Sequence, residues 1–332
     1  MKKALVTGGC GFIGSNLTKK LVELGWQVDV VDDMSNGHLE LLEGLNYRTL
    51  LNGTFYTAFK IQNIERPQDL VLVIQDDFSD DNILSAVYQG VYDVIFHQAA
   101  VPRVSYSVEE PWRTTDVNIG KTVKLFESAR DSVDRIVWAS SSSVYGGAEN
   151  LPTLETEKKD PKSPYAWQKS SIESYALLAG SLYNQDIVCL RYFNAFGPGQ
   201  YGDSPYSTAV SAWCHAIKNG KECRSDGDGE QTRDMCYIDN IVHANILAAK
   251  SKKKFMGECY NIACNQRVSN NEILSAMKER YGGKVKVRYA PERLGDVKHT
   301  QADITKARND FGYEPLVLFW EGLEKTYKWW DI

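Results

Sequence analysis

The sequence predicts an α/β fold: a doubly wound parallel sheet with a smaller C-terminal α/β lobe. Three observations carry this expectation. Short, nearly continuous apolar runs alternate with amphipathic stretches from residue 4 to residue 190, as buried parallel strands covered by helices on both faces require. A glycine-rich turn, GGCGFIG, joins the first apolar run to the first amphipathic stretch. The alternation then weakens after Arg191, where Gly, Pro, Asp and Ser crowd residues 195–234.

Taken in order, the strands read as Ala4–Thr7, Gln27–Val31, Leu70–Gln75, Val94–His97, Arg135–Ala139 and Asp186–Leu190. Helical spacing marks Ser15–Leu24, Ile83–Gly90, Val117–Arg130 and Tyr165–Leu182 between them. Residues 45–70 are long for one link between the second and third strands and read as a local elaboration. Beyond Arg191 a helix is expected at Ala209–Ile217. Another near Asn240–Ser251 and a strand at Cys259–Ile262 return to regular structure. Residues 266–332 carry two or three helices and a short strand.

The chain has 332 residues, 43% hydrophobic and 24% charged, the balance of a folded globular protein. A net charge of −5 with no dense Lys/Arg stripe argues against nucleic acid as the main partner. An anionic ligand would therefore need local cations. No run of about 18 apolar residues is present, so no membrane span is expected. The opening MKKALVTGG is basic then apolar, but its apolar run is too short for a signal peptide. Seven scattered cysteines without a CxxC read as reduced thiols in the cytoplasm, not as disulfides or zinc ligands.

Gly8-Gly9-Cys10-Gly11-Phe12-Ile13-Gly14 lies between a strand and a helix. The first glycine permits the tight turn, the second lets the backbone approach a pyrophosphate, and the third packs helix on strand. This is the Rossmann-type signature of a dinucleotide site. Asp32 ends the second strand about 20 residues on, where a carboxylate accepts both ribose hydroxyls and repels a 2′-phosphate. Asp33 strengthens that bias, so NAD is expected over NADP. Asp77-Phe78 would flank adenine or form an ordinary loop pair. Ala99-Ala100 would let the cofactor lie close or simply pack. His97 reads as a satisfied core histidine. Residues 1–192, joined by 235–265, then form the NAD-binding domain. Residues 193–332, mainly 195–234 and 266–332, form a substrate lobe.

Ser163-Pro164 starts a helix, with serine as cap and proline at the first position. Tyr165 and Lys169 follow at i and i+4, on one face. A free phenol titrates near ~10. The Lys169 ammonium and a positive nicotinamide ring would both favour phenolate, making Tyr165 a base near neutral pH. Lys169 could also hold the nicotinamide ribose. The run Ser140-Ser141-Ser142-Ser143 follows the fifth strand, so its hydroxyls emerge at the carboxyl edge of the sheet, where ligands bind. Composition alone does not say which serine meets the reacting oxygen.

At these residues the chain resembles the extended short-chain dehydrogenase/reductase family, and within it the NAD-dependent nucleotide-sugar 4-epimerases. The likeness runs over nearly the whole chain: TGGCGFIGS, SSSSVYG, SPYAWQK, LRYFNAFGPGQ, GDGEQTRDMCYIDN, YNIA and RLGDVKHTQADITKA. It implies Ser141 as catalytic serine, with Ser142 and Ser143 as helpers, Tyr165 as base and Lys169 as its partner. It implies Asn194, Arg233 and Arg293 on the substrate diphosphate, which suits charge-assisted recognition in an acidic protein. Asp296 is implied to hold a ribose hydroxyl or to order its loop. Asn118 matches a position near the nicotinamide. The related sugar 4,6-dehydratases carry an Asp-Glu pair where this chain has Ser142 and Ser143, so dehydration is disfavoured.

The resemblance therefore implies oxidation of a UDP-sugar at carbon 4 to a transient 4-keto sugar, rotation about the diphosphate, and return of hydrogen to the other face. Thr300 matches a position lining the sugar pocket, and a small residue there leaves room for an N-acetyl group. With GPGQYGDSPYS (Gly197–Ser207) this points to the UDP-N-acetylglucosamine/UDP-N-acetylgalactosamine pair. Arg103, unexpected in VPRVSYS, would favour a UDP-uronate or stand as a surface arginine. Other sugar-nucleotide epimerases or reductases, and a non-catalytic dinucleotide sensor, are the competing readings. No metal is expected. A homodimer is expected through a four-helix bundle of about Asp116–Arg130 and Tyr165–Leu182 from each subunit.

Overall fold

Strands this apolar on alternate faces must be covered twice, and the chain covers them by winding in both directions from its first strand. The computed structural model describes residues 2–51, 65–102, 104–203, 207–292 and 297–332. Arg103, Arg293, Asp296 and residues 52–64 of the expected elaboration lie outside the described residues. The strands β1 (Lys3–Thr7), β2 (Gln27–Asp32), β3 (Tyr47–Leu51), β4 (Val71–Gln75), β5 (Val94–His97), β6 (Arg135–Ser141) and β7 (Ile187–Tyr192) come first. Short strands follow: β8 (Ala195–Phe196), β9 (Glu222–Asp226), β10 (Thr232–Arg233) and β11 (Cys236–Tyr237). Then come β12 (Cys259–Ile262), β13 (Val268–Ser269) and β14 (Lys286–Ala290).

One eight-stranded sheet runs β12-β7-β6-β5-β1-β2-β4-β3, every pair parallel. The order reverses at β1: the chain moves outward through β2, then returns to β5 and builds the other way. A crevice opens at the carboxyl ends there, the binding position of this architecture. Side chains alternate between two cores: Ala4, Val6, Val28, Val30, Val94 and Phe96 face one, while Leu5, Val31, Ile95, Ile136 and Trp138 face the other. The Phe12–Glu23 and Ile238–Lys250 helices pack together on the first face. The 20-residue Pro164–Tyr183 helix buries Ile172, Ala176 and Ala179 in the second.

Beyond β7 the chain forms three two-stranded ladders, β11 with β8, β10 with β13 and β14 with β9. The helices Ala209–Lys218, Asn270–Tyr281, Thr305–Phe311 and Phe319–Trp330 accompany them. Strand β12 returns to the edge of the large sheet.

Two elements differ from expectation. Residues 45–70 contain β3, a parallel edge strand whose YRTLL is exposed or half-buried and so lacks the apolar signal of a central strand. The single helix expected at Val117–Arg130 is the last part of a longer run. Helices Val104–Glu109 and Pro111–Thr115 lead into a π-helical turn, Asp116–Lys121, before Thr122–Ser128. Pro111 sits in the first turn of its helix, where it costs no hydrogen bond, and restarts the run.

Candidate active site

The glycine turn is shaped by contact, not only by flexibility. Gly8 has φ +68°, and a Cβ there would sit 2.8 Å from the Ala99 nitrogen. At Gly14 a Cβ would meet the Gly8 carbonyl at 2.1 Å, so only glycine lets the Phe12–Glu23 helix start against the turn. Gly11 caps that helix with no side-chain hydrogen bond, leaving its first backbone N–H groups facing the cleft. Gly8, Gly11, Phe12, Ile13 and Gly14 all line the crevice, with Ala99 and Ala100 across from them. This is a cradle sized for backbone contact with a diphosphate.

Asp32 is 7% exposed and accepts from the backbone N–H groups of Cys10 (2.9 Å) and Met34 (3.0 Å). Burial raises its pKa, opposed by those bonds. The carboxylate is thus fixed at the end of β2 with lone pairs toward the cleft, the position that reads ribose hydroxyls. The glycine cradle, uncapped helix start and fixed carboxylate together fit NAD. Asp77 is more committed than expected. Its oxygens accept from Ser79 N (2.8 Å), Ser79 Oγ (2.7 Å) and Lys121 Nζ (2.5 Å), and these bonds hold it below the usual carboxylate range despite burial. Phe78 lines the cleft and packs edge-on against His97, with ring centroids 4.8 Å apart. His97 is fully buried between Thr7 Oγ1 (2.6 Å) and Thr122 Oγ1 (3.0 Å), and burial pushes it down to about 3. It is neutral and satisfied.

Asn118 is not on the cleft wall. Its side chain donates to Val101 O (3.1 Å) and Gln168 Oε1 (2.8 Å) and accepts from Val101 N (2.8 Å). The amide is spent in pinning the Val101 backbone, and Val101 itself faces the cleft.

Ser163 Oγ accepts from Ala166 N (3.2 Å), capping the helix that carries the tyrosine and lysine. Tyr165 and Lys169 are both buried and line the cleft beside Ser141, Ser142 and Ser143. The Ser141 side chain lies close enough to the Tyr165 phenol to favour its ionised form. Ser141 also caps the next turn, accepting from Ser143 N (3.2 Å). The Ser143 hydroxyl is buried and has no partner among the described residues. Lys169 Nζ donates to Ala139 O at 2.7 Å and lies 5.8 Å from the Tyr165 ring centre.

Electrostatics here correct the simplest expectation. Burial pushes Tyr165 up to about 12, opposed by the Ser141 side chain, and pushes Lys169 down to about 7, opposed by Cys189 and Glu173. The chain's own groups therefore do not by themselves outweigh the burial of the phenol. A cation beside it is the missing ingredient, and the positive ring of oxidised NAD has that charge.

The far end of the cleft is built by the shorter ladders. Asn194 sits in the left-handed region (φ 31°), which asparagine tolerates. It donates to Asp234 O (3.0 Å) and Thr300 Oγ1 (3.3 Å). Arg233 Nη1 donates to the Thr232 and Lys298 carbonyls, both at 3.1 Å. Asn194, Arg233 and Thr300 all line the same cleft as Tyr165, a continuous space of about 1850 Å³. Arg293 and Asp296 lie outside the described residues.

Asp234 was not singled out in the sequence, yet it holds this wall. It is fully buried and accepts from Cys264 N (2.9 Å) and Ala302 N (3.0 Å), and burial raises it to about 6. An acid between Arg233 and the apolar Met235-Cys236-Tyr237 was the available signal. Glu173 and Gln168, on the Pro164–Tyr183 helix, were also passed over, because helix periodicity does not show which polar residues face inward.

Comparison with known proteins agrees with this geometry. The model of the NAD dependent epimerase/dehydratase family matches residues 4–263. A UDP-glucose 4-epimerase of Mycolicibacterium smegmatis is 32% identical over 328 residues, covering 98% of this chain and 97% of that protein. A solved UDP-N-acetylglucosamine 4-epimerase from Methanobrevibacter ruminantium, in complex with UDP-N-acetylmuramic acid, has a TM-score of 0.86 at 33% identity, covering 99% and 98% of the two chains. A UDP-glucuronic acid 4-epimerase from Bacillus cereus, in complex with UDP-glucuronic acid and NAD, has a TM-score of 0.82 at 29% identity, covering 99% of each.

Proposed function

Because this chain belongs to the NAD dependent epimerase/dehydratase family and is an NAD-using enzyme, we propose that it is a 4-epimerase of a UDP-sugar, acting on the UDP-N-acetylglucosamine/UDP-N-acetylgalactosamine pair. The observation that carries this reading is one continuous cleft. It joins the glycine turn, the Ser141–Tyr165–Lys169 cluster and the Asn194–Arg233–Thr300 wall.

NAD, when bound, supplies the reversible acceptor for the hydrogen of carbon 4 and a positive ring beside the phenol. Gly8–Gly14 and Asp32 would hold it. Tyr165 takes the proton of the 4-hydroxyl, and Ser141 Oγ hydrogen-bonds the same oxygen. Lys169 keeps positive charge near the phenolate. Asn194 and Arg233 hold the diphosphate, joined by Arg293 as the resemblance implies, while Asp296 holds a ribose hydroxyl or orders its loop. Held there, the 4-keto sugar turns about its phosphate link and offers its other face, and Tyr165 returns the proton. Tight diphosphate binding with a weakly held sugar is the physical requirement for inversion. Ser142 and Ser143, in place of two carboxylates, leave no acid–base pair for dehydration.

Thr300 and the Gly197–Ser207 segment support the N-acetylated substrate. A UDP-uronate is the second reading, favoured by the Ser143 hydroxyl, which has no partner among the described residues and can donate to a carboxylate. In this reading residues 1–192 with 235–265 serve the cofactor and 193–332 the nucleotide sugar. The enzyme works as a homodimer, since Trp112, Trp167, Leu178 and Leu182 stand more than half exposed on the helices expected to form the bundle or beside them.

The test is incubation of purified enzyme, without added NAD, with UDP-N-acetylglucosamine, UDP-glucose and UDP-glucuronate, followed by product identification. Interconversion at carbon 4 of the first is expected. A product reduced or dehydrated relative to its substrate, or no turnover of any of the three, would overturn the reading.

A further inference from the structure

We infer that Glu173 is a positioning residue of this active site, a third rung on the catalytic helix that holds the Ser141 strand end against Tyr165 and Lys169. The inference rests on the reading of Tyr165 as the base and assigns a role that reading does not need.

Tyr165, Lys169 and Glu173 occupy i, i+4 and i+8 of the Pro164–Tyr183 helix, and all three are buried. Each engages one of three successive residues at the end of β6. Lys169 Nζ donates to Ala139 O (2.7 Å), Glu173 Oε1 accepts from Ser140 Oγ (2.6 Å), and the Tyr165 phenol lies close enough to the Ser141 side chain to sense it. A strand end gripped at 139 and 140 cannot move residue 141 independently. The spacing between the serine hydroxyl and the phenol is therefore set by Glu173 and Lys169 together.

A buried carboxylate needs several partners, and Glu173 has them from every side. From β7, Arg191 donates through Nε (2.7 Å) and Nη2 (2.8 Å), a bidentate pair. From the loop before the helix, Lys159 Nζ reaches Oε2 at 3.4 Å. Lys169 faces it along its own helix, and the Cys189 thiol and Tyr145 phenol lie close enough to sense its charge. Arg191 is itself held by Tyr145 Oη (2.7 Å) and the Glu155 carbonyl (3.1 Å). Tyr145 in turn donates to Asn261 Oδ1 (2.6 Å). The net field on Lys169 from this cluster includes one carboxylate, which favours its ammonium against burial. Removing that charge should leave Lys169 neutral to lower pH, deprive the phenolate of its nearest protein cation, and make the phenol harder to ionise. Arg191, left unpaired, lies farther from the phenol and opposes this only in part.

Ultraviolet titration of tyrosinate in the NAD holoenzyme tests this without any sugar substrate. The difference between a protein and its Tyr165→Phe counterpart isolates one phenol. In Glu173→Gln the Tyr165 midpoint should rise by about one pH unit or more. With UDP-sugar, kcat should drop about tenfold or more while KM stays within about twofold. Ser140→Ala, which leaves the ion pair intact, should move the midpoint in the same direction. The double variant Glu173→Gln/Arg191→Gln, which also removes the opposing Arg191 charge, should move it at least as far as Glu173→Gln alone. If Glu173→Gln does not fold, Ser140→Ala and the double variant decide. An unchanged Tyr165 midpoint in every folded variant overturns the inference, whatever happens to turnover. A wild-type enzyme inert toward all UDP-sugars would instead sink the epimerase reading while leaving the phenol shift measurable.

Discussion

Tyr165 and Lys169 show how one buried spot moves two groups in opposite directions. Burial disfavours whichever form is charged, so the phenol rises to about 12 while the amine falls to about 7. Tyr165→Phe keeps the ring and its packing and removes only the hydroxyl, the proton carrier of the proposed reaction. Turnover should fall by about 10²–10⁴-fold with bound NAD unchanged, read by product assay and by cofactor released on denaturation. Lys169 makes a stability prediction as well. Its folded value lies below the ordinary 10.5, so between about pH 7 and 10.5 the unfolded chain binds more protons, and stability rises with pH. Lys169→Met abolishes that titration. The stability of wild type minus that of the variant should therefore climb across this window, by at most about 1.4 kcal/mol per pH unit. Urea unfolding at two pH values measures it, and a difference independent of pH would show an ordinary lysine.

At the scale of elements, the cleft is assembled by loops that meet through buried polar side chains. Asn118, in the π-helical turn, uses its whole amide to hold Val101 and Gln168. Asp234 does the same for the substrate wall, tying the end of β10 to the backbone at Cys264 and Ala302. Asp234→Ala would leave these donors buried without acceptors. It should cost on the order of 3 kcal/mol in urea unfolding. Because Asn194, Arg233 and Thr300 hang from this node, nucleotide-sugar affinity should fall further than NAD affinity, as equilibrium dialysis of the two ligands would reveal. Equal losses would mean that the node supports the whole fold and not the wall.

Over the whole molecule, the exposed apolar residues are not spread evenly. On the Pro164–Tyr183 helix Trp167 is 51%, Leu178 51% and Leu182 61% exposed, with Trp112 at 81% on a neighbouring helix. A helix so apolar on its outer face wants a partner. Replacing Leu178 and Leu182 together by Glu should convert a dimer to a monomer in light scattering and leave the cofactor bound. A variant that keeps twice the chain mass would put the interface elsewhere. No helix among the described residues is long and apolar enough to cross a membrane.

The parallel sheet, the glycine turn, the acid ending β2 and the Ser, Tyr and Lys beside the cleft were all legible in the chain, because each is a local pattern. Apolar runs make central strands, glycine spacing makes a cradle, and a Ser-Pro start sets the face of a helix. The edge strand β3 was missed for the converse reason, since an edge carries little apolar signal. What long-range packing decided was the use of each polar group once buried. It spent Asn118 on a backbone, saturated Asp77 with Lys121 and Ser79, made Asp234 a node, and set Glu173 against Arg191 and Ser140. Sequence spacing fixes which face of an element a residue occupies. The direction of its pKa shift, and whether its hydrogen bonds remain free for a ligand, depend on partners that arrive from residues 18 to 68 positions away.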